Sequence, residues 1–382
     1  MTTLLQAKRL IAAKIESTEG VAESLASADA KHLVMDDGLD FSTDISMHER
    51  NIVQASFSRH SKLAGVELAR ITCTVELRGS GVAATAPSWD TLLRPCGFGL
   101  TVVEKLTHAG ITGTFTHGEA ITSSGTGVGR VVAPATSAED VYVVVTAGTF
   151  GDTETVTGGS SGATAVLNAA GAASGNVYEP ISAAIPSLTV AMFHDGVLKS
   201  IKGARGNVRF EGTVGQPGML VFDFLGVYEP VTDAALLSGI TYESTIPPVL
   251  KGATLTFDAF APVCTEYSID MQNSVNPRES MSSSQGAISS RITGRNPTGT
   301  FNPEMDLVAN FDFYGRHLGE TLHETVFGVG SVAGNRFKTV CPETQIDSVG
   351  NSDRNGISVV DLGVGFPGNT TNQDKELSLL VY

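Results

Sequence analysis

Residues 187–230, SLTVAMFHDGVLKSIKGARGNVRFEGTVGQPGMLVFDFLGVYEP, alternate apolar and polar side chains in runs separated by turn residues. Successive side chains of a strand point to opposite faces, so this pattern predicts an antiparallel meander. Leu188 to His194 reads as a first strand, and Asp195-Gly196 supplies the positive φ angles of a two-residue hairpin. Val197 to Lys202 returns. Asn207 to Thr213 then sets Val208 and Phe210 on one face and Arg209, Glu211 and Thr213 on the other. After the turn Gly215-Gln216-Pro217-Gly218, Met219 to Tyr228 lines up Leu220, Phe222, Phe224 and Tyr228. Four consecutive strands are predicted, with the rest of the chain packed on them or repeating them.

The preceding segments give a domain beginning at Lys31. Strands are predicted over His32–Met35, Leu39–Met47 and Gly65–Arg78, the last with Ile71, Cys73, Val75 and Leu77 on one face. Pro87-Ser88-Trp89-Asp90 opens a short helix with Ser88 as N-cap and Trp89 as a core anchor, and Pro95 and Gly97 end it. Residues 1–30 read as an arm without a core of its own, which either frays or docks on a neighbour. Asp233 to Ser238 reads as a helical turn and Tyr242 to Leu250 as a connector.

Two repeats are visible. Gly113–Val132 (GTFTHGEAITSSGTGVGRVV) aligns with Gly148–Leu167 (GTFGDTETVTGGSSGATAVL) at a period of 35, matching Phe115 with Phe150 and Glu119 with Glu154. Two copies are too few for a solenoid, so a small β-rich module inserted at about residues 113–176 is expected on an exposed surface. On a larger scale the second half echoes the first. FSTDISMHER and YSIDMQNSVNPRE set Asp44/Arg50 against Asp270/Arg278. Ile71-Thr72 before the Ser88 helix parallels Ile292-Thr293 before a helix capped by Asn302 with Pro303 at its first position. Gln216–Val227 parallels Arg354–Gly365, with Gly218/Gly356 and Asp223/Asp361 in register. A diverged duplication is expected, with domains at 31–245 and 246–382.

Composition excludes some functions. With 25 Lys+Arg against 40 Asp+Glu the net charge is −15, a poor balance for gripping phosphates but suited to a passage that DNA crosses without sticking. At 41% hydrophobic and 17% charged the chain should fold rather than remain disordered. Cys73, Cys96, Cys264 and Cys341 form no CxxC pair and read as small hydrophobes in a reducing compartment. The apolar run in MTTLLQAKRLIAAKIESTEG is short and broken by Lys8, Arg9 and Lys14, so neither a signal peptide nor a membrane span is expected.

No active site, metal site or cofactor site is predicted. GGSSG at Gly158–Gly162 fits a nucleophile elbow around Ser160, but lies in a Gly/Ser turn. GTGVGR (Gly125–Arg130) and GVGSVAG (Gly328–Gly334) lack the following helix that would hold a phosphate. Asp36-Asp37-Gly38 with Asp40 reads as a solvated turn rather than a Ca²⁺ loop, and the eight histidines show no ligand spacing.

Four long segments carry a resemblance. LIAAKIESTEG, SWDTLLRPCGFG, YEPIS with SLTVAMFHDGVLKSIKGARGNVRF, and SRITGRNPTGTFNPEMDL are similar to the tail tube (major tail) proteins of long-tailed bacteriophages of the siphophage type. The likeness covers nearly the whole chain apart from the insert. It implies a mainly β chain of two tandem tail-tube-type β-sandwich or barrel domains, each with a short flanking helix. It implies a non-enzymatic virion protein, assembled in a host cytoplasm. Its copies would form rings whose inner strands make one barrel, and the rings would stack into a tube for DNA ejection. With two domains per chain, trimeric pseudo-sixfold rings are preferred over hexameric ones. Tape-measure and tail-terminator proteins are partners by the same likeness. The rivals are a different ring-forming virion component such as a terminator or decoration protein, a secreted β-rich adhesin, and a hydrolase using Ser160.

Overall fold

The computed structural model describes residues 4–32, 34–136, 139–368 and 373–382. β1 (Arg9–Ile15), β2 (Asp40–His48) and β3 (Leu63–Glu76) lead to the single helical turn α1 (Asp90–Leu93). β4 (Phe98–Leu106) is followed by β5 (His108–Thr112), β6 (Ala120–Ser123), β7 (Val128–Val131), β8 (Val141–Ala147), β9 (Thr155–Gly158) and β10 (Thr164–Leu167). Then come β11 (Ala172–Pro180), β12 (Leu188–His194), β13 (Val197–Thr213) and β14 (Met219–Asp233). The second half holds β15 (Thr254–Phe257), β16 (Glu266–Asp270), β17 (Val275–Glu279), β18 (Ala287–Ile292) and β19 (Thr298–Phe301). It ends with α2 (Phe313–Leu318), β20 (His323–Val329), β21 (Phe337–Arg354), β22 (Ile357–Gly365) and β23 (Ser378–Val381).

The meander has three strands, not four. Val197–Lys202 and Asn207–Thr213 belong to one 17-residue strand, interrupted where the register shifts between Lys202 and Arg205. Gly203 takes a φ of +58° there, so the break between the two predicted strands is a bulge within one. The arm is not free either. β1 pairs in full register with β12, from Arg9↔His194 to Ile15↔Leu188, and buries Ile11, Ala12 and Ala13. Its scattered apolar residues therefore cover the edge of the chain's own sheet; Met1–Thr3 lie outside the described residues. Of the predicted strand His32–Met35, Leu33 lies outside the described residues and Val34 makes one bridge to Val75. Residues 234–238 are irregular rather than helical.

The helices fall near their expected places but start differently. α1 has Trp89 as its N-cap residue with no side-chain cap, and a 3-10 turn continues to Gly97 at φ +86°. Asn302 caps no helix. Its Oδ1 accepts from Thr265 N and Glu266 N at 3.0 Å each, tying the end of β19 to the start of β16. α2 begins eleven residues later, where Asp312 accepts from Gly315 N.

Two ladders pack face to face. One runs β2–β3–β14–β13–β16–β19–β22–β21, with β12 and β1 added along the beginning of β13. The other runs β15–β20–β21–β23–β11–β4–β8. β21 belongs to both: Phe337–Thr344 pairs in the second ladder and Gln345–Arg354 in the first. Aromatic pairs cross the interface, with centroids 6.1 Å apart for Phe98–Phe210, 4.5 Å for Tyr267–Phe327 and 5.5 Å for Phe257–Phe301. One continuous core results, drawing Ile71, Phe222 and Phe224 from the first half and Phe301, Phe337 and Leu362 from the second. Trp89 sits inside it, donating Nε1–H to Arg78 O at 2.7 Å.

Within the first ladder the order β2–β3–β14–β13 is followed by β16–β19–β22–β21, the same succession of pairings twice. The registers correspond at several positions. Phe41 pairs with Ile71 as Tyr267 pairs with Phe301, and Asn207 faces Asp223 as Gly350 faces Asp361. Even the irregularity recurs: after Lys202↔Val227 the ladder resumes beyond a shift at Arg205↔Leu225, and after Gln345↔Gly365 and Ile346↔Val364 it resumes beyond a shift at Ser348↔Gly363. Ile292-Thr293 is out of step with this scheme, since the register sets Phe301 against Ile71 and leaves Ile292 in the separate hairpin β17–β18.

Between β4 and β11 lies a second small core. Its ladder runs β5–β10–β9–β6–β7–β8–β4, and β4 continues into β5 through Thr107 alone, so the ladder returns to the segment where it began. Phe115, Ile121, Val143, Phe150, Val156 and Leu167 fill it. The 35-residue repeat becomes a pseudo-twofold: β6 pairs antiparallel with β9, and Thr122 faces its own counterpart Thr157. Ala172–Asn176 lie in β11, which pairs with β4 within the main sandwich. The equivalent strands β20 and β21 are joined by the short turn 330–336.

Candidate functional site: the open edges of the first ladder

The junction between the two four-strand groups is made inside the chain. Arg209–Thr213 of β13 pairs with Asp270–Glu266 of β16. Asn207 Nδ2 donates to Asp270 Oδ1 at 2.7 Å, and Asn273 N donates to Asn207 Oδ1 at 3.0 Å. Asn273 Nδ2 then reaches Cys96 O at 2.7 Å, fastening the start of the second group to the end of the first group's helix. Met271 N donates to Val208 O at 3.2 Å, and its side chain is buried in the shared core.

The outer strands of this eight-strand run have a partner on one side only. β2 pairs with β3 alone, and Gln345–Arg354 of β21 pairs with β22 alone, among the described residues. β2 occupies in its group the place of β16, and β21 the place of β13. The chain therefore ends at each side in an edge whose counterpart is already satisfied internally. Open edges of this length invite pairing with another chain. Most of β2 is exposed, including Ser42, Thr43, Asp44 and Met47.

The face of this ladder turned away from the core is acidic. Alternation places Asp40 and Asp44 of β2, Glu76 of β3, Asp223 of β14, Glu211 of β13, Glu266 and Asp270 of β16, and Asp361 of β22 on it, against Arg70, Arg209 and Arg354. Arg70 Nη1 lies 3.2 Å from Asp223 Oδ2, both partly exposed. Rows of such residues run across strands, as in Asp40–Thr72–Asp223–Asn207.

A second polar cluster fastens the small barrel to the sandwich. Glu179 on β11 accepts from Arg130 Nη2 at 2.7 Å, Lys375 Nζ at 2.6 Å and Ser378 Oγ at 3.0 Å. Burial pushes its carboxyl up, but the two cations outweigh burial and hold it below the usual range. His117 Nε2 sits 2.9 Å from Ser378 Oγ, and burial lowers its pKa to about 4.

The motifs weighed as chemistry occupy turns. Ser160 Oγ donates to Glu119 Oε2 at 3.1 Å in the turn joining β9 to β10. Glu119 also accepts from Thr116, Ser160 and Ser161 N–H groups, so its role is to tie turns of both repeat copies. Gly125 and Gly127 donate to Ser123 Oγ in the β6–β7 turn. Gly330 and Gly334, at φ +95° and +73°, shape the β20–β21 turn. Asp36–Gly38 form one 3-10 turn before β2. Among the described residues no three His, Cys, Asp or Glu side chains gather as a metal site would require, and no helix is long and apolar enough to cross a membrane. Cys73, Cys96 and Cys341 are buried free thiols and Cys264 is half-buried. The open edges escape a reading of the sequence because an edge is defined by which strand lacks a neighbour, which no local pattern records. A scan of protein-family models and a search of curated proteins find no match to the chain.

Proposed function

We propose that this chain is the subunit of a virion tail tube: copies join edge to edge into rings, and the rings stack into a conduit through which DNA leaves. The observation that carries the reading is the β13–β16 junction. It joins two equivalent four-strand groups, and the free edges β2 and β21 are equivalent to its two sides. A copy of the same junction between chains would pair β21 of one with β2 of the next. Such a head-to-tail contact generates a ring when it closes. Residues 31–245 and 246–382 are then two tail-tube-type units, the first carrying the small barrel at the tip of its β4–β11 hairpin.

Size favours three chains. Eight strands from each of three chains make twenty-four, and at about 4.8 Å spacing and roughly 40° tilt the backbone barrel is about 50 Å across. Six chains would give a barrel of about 100 Å. The acidic face lines the lumen, where like charge keeps phosphates from sticking. Stacking, rather than a lone terminator ring, is favoured by exposed apolar side chains at both ends of the strands. Ile52 and Val53 lie at one end and Val214, Val249 and Ile357 at the other. The chain acts without chemistry of its own.

The test is a cysteine pair. The equivalence sets Ser352 of one chain opposite Asp44 of the next, as Arg209 stands opposite Asp270. Oxidising the variant Asp44→Cys/Ser352→Cys should give a covalent ladder that stops at the trimer, alongside tubes in negative-stain electron microscopy. A ladder stopping at six selects hexameric rings. No cross-link and no ring at any concentration would overturn the reading, and single rings that never stack would favour a terminator.

A further inference from the structure

The segment joining the first two strands of each four-strand group is treated differently in the two halves. In the second half it contains the hairpin β17–β18, which leaves its own group and lies over the first. Glu67 N donates to Gln285 O at 2.9 Å, and Gln285 Nε2 donates to Tyr228 O. Arg205 N donates to Ser290 Oγ at 2.7 Å, and Ala287 and Val275 pack on Leu68, Leu225 and Val227. Arg291 Nη2 reaches Glu19 Oε2 at 2.8 Å. This hairpin thus covers one end of the β3–β14–β13 face opposite the main core.

In the first half the same connection is residues 49–62, and it covers nothing in its own chain. Val53 and Phe57 are fully exposed. The face equivalent to the covered one, on β19, β22 and β21, is also bare. Leu68, Leu225 and Val227 correspond to Thr298, Gly363 and Gly365, and the side chains of Ser348 and Asp347 lie over the two glycines. Charge is complementary. ERNIVQASFSRHSK (49–62) carries Arg50, Arg59 and Lys62 against Glu49 in a chain of net charge −15, whereas the bare face carries Asp347 and Asp361, both exposed.

We propose that the 49–62 loop of a second copy of this chain lies across the β19–β22–β21 face, in the place that the β17–β18 hairpin takes on β3–β14–β13. The contact is lateral, between neighbours in one ring, and follows from the same equivalence: the strand that docks brings its following connection with it. Fourteen residues folded back on themselves reach about 23 Å, enough to cross three strands. Arg50, Arg59 and Lys62 face Asp347 and Asp361 of the neighbour, and Phe57 closes over Gly363 and Gly365. The inference rests on the ring reading above.

A photo-reactive phenylalanine analogue at position 57, in the Asp44→Cys/Ser352→Cys background, separates the two. The disulfide ladder reports ring closure, and mass spectrometry of the photoproduct reports where the loop lies. The expected result is a closed ladder with photo-cross-links to residues 345–350 or 361–365 of a neighbour. Reversing Arg50, Arg59 and Lys62 to Glu should slow closure about tenfold at low salt, with Asp347→Lys/Asp361→Lys restoring it. A closed ladder with photo-cross-links only to the 214–218 or 355–357 turns, or a triple reversal without effect, overturns the lateral contact while leaving the ring intact. Failure of the ladder itself overturns both.

Discussion

His323 sits between the rings of Phe257 and Phe311, with centroids 5.3 and 5.7 Å away and no hydrogen-bond partner for either ring nitrogen. Burial lowers its pKa to about 4, as it lowers His117 to about 4 and His32 to about 3. An unfolded histidine titrates near 6.5. Between about 6.5 and 4 the unfolded chain therefore binds protons that the folded chain refuses, and each histidine removes about 1.4 kcal/mol of stability per pH unit as acid is added. The stability is fully present above pH 6.5. His323→Phe should flatten this slope by about 1.4 kcal/mol per unit in urea titrations between pH 6.5 and 4.5. An unchanged slope would mean that the imidazole is already charged when folded. Such residues are hard to read from sequence. Phe222 and Phe224 announce themselves by period two, whereas Glu179 stands in an ordinary YEP tripeptide and acquires its role from Arg130 and Lys375, 49 and 196 residues away.

At the scale of elements, the small barrel and the sandwich keep separate cores but share a seam. Tyr142 and Val132 pack on Val103, Val177, Val340 and Leu380, beside the Glu179 cluster. Replacing residues 106–171 by Asn-Gly should leave the β4–β11 hairpin closed, since Lys105 already faces Ala172. The shortened chain should fold and still give the cross-linked trimer, less stable in urea by about 3–5 kcal/mol for the uncovered valines and the lost Arg130. A cut carried to residue 176 should fail, because it removes half of β11. Loss of rings in the shorter deletion would show that the barrel takes part in assembly. The repeat is legible where spacing and side-chain type agree, in Phe41/Tyr267, Asp44/Asp270 and Asp223/Asp361. It misleads at Asn302, whose Asn-Pro-Glu start signal is spent on holding β16. Ser88 misleads less: the helix is present but begins without its hydroxyl.

For the whole molecule, the acidic face has a consequence that solution binding can read. In the proposed tube, reversing Glu211 and Asp223 to Lys puts two new cations per chain on that face, and such tubes should retain duplex DNA in low salt and release it as salt rises. Tubes that still pass DNA freely would place the acidic face elsewhere than the lumen. β21 gives the molecule a further property. It is the only described strand that pairs in both ladders, passing from one to the other between Thr344 and Gln345. Elsewhere the chain crosses between the layers through connecting loops, and side-chain packing holds them by many weak contacts that can separate singly. Here one strand runs from layer to layer with no loop between, so a pull that would peel them apart meets backbone with no slack to take up. In the proposed conduit, every subunit would have at that point a rivet rather than a glue line under sudden internal pressure.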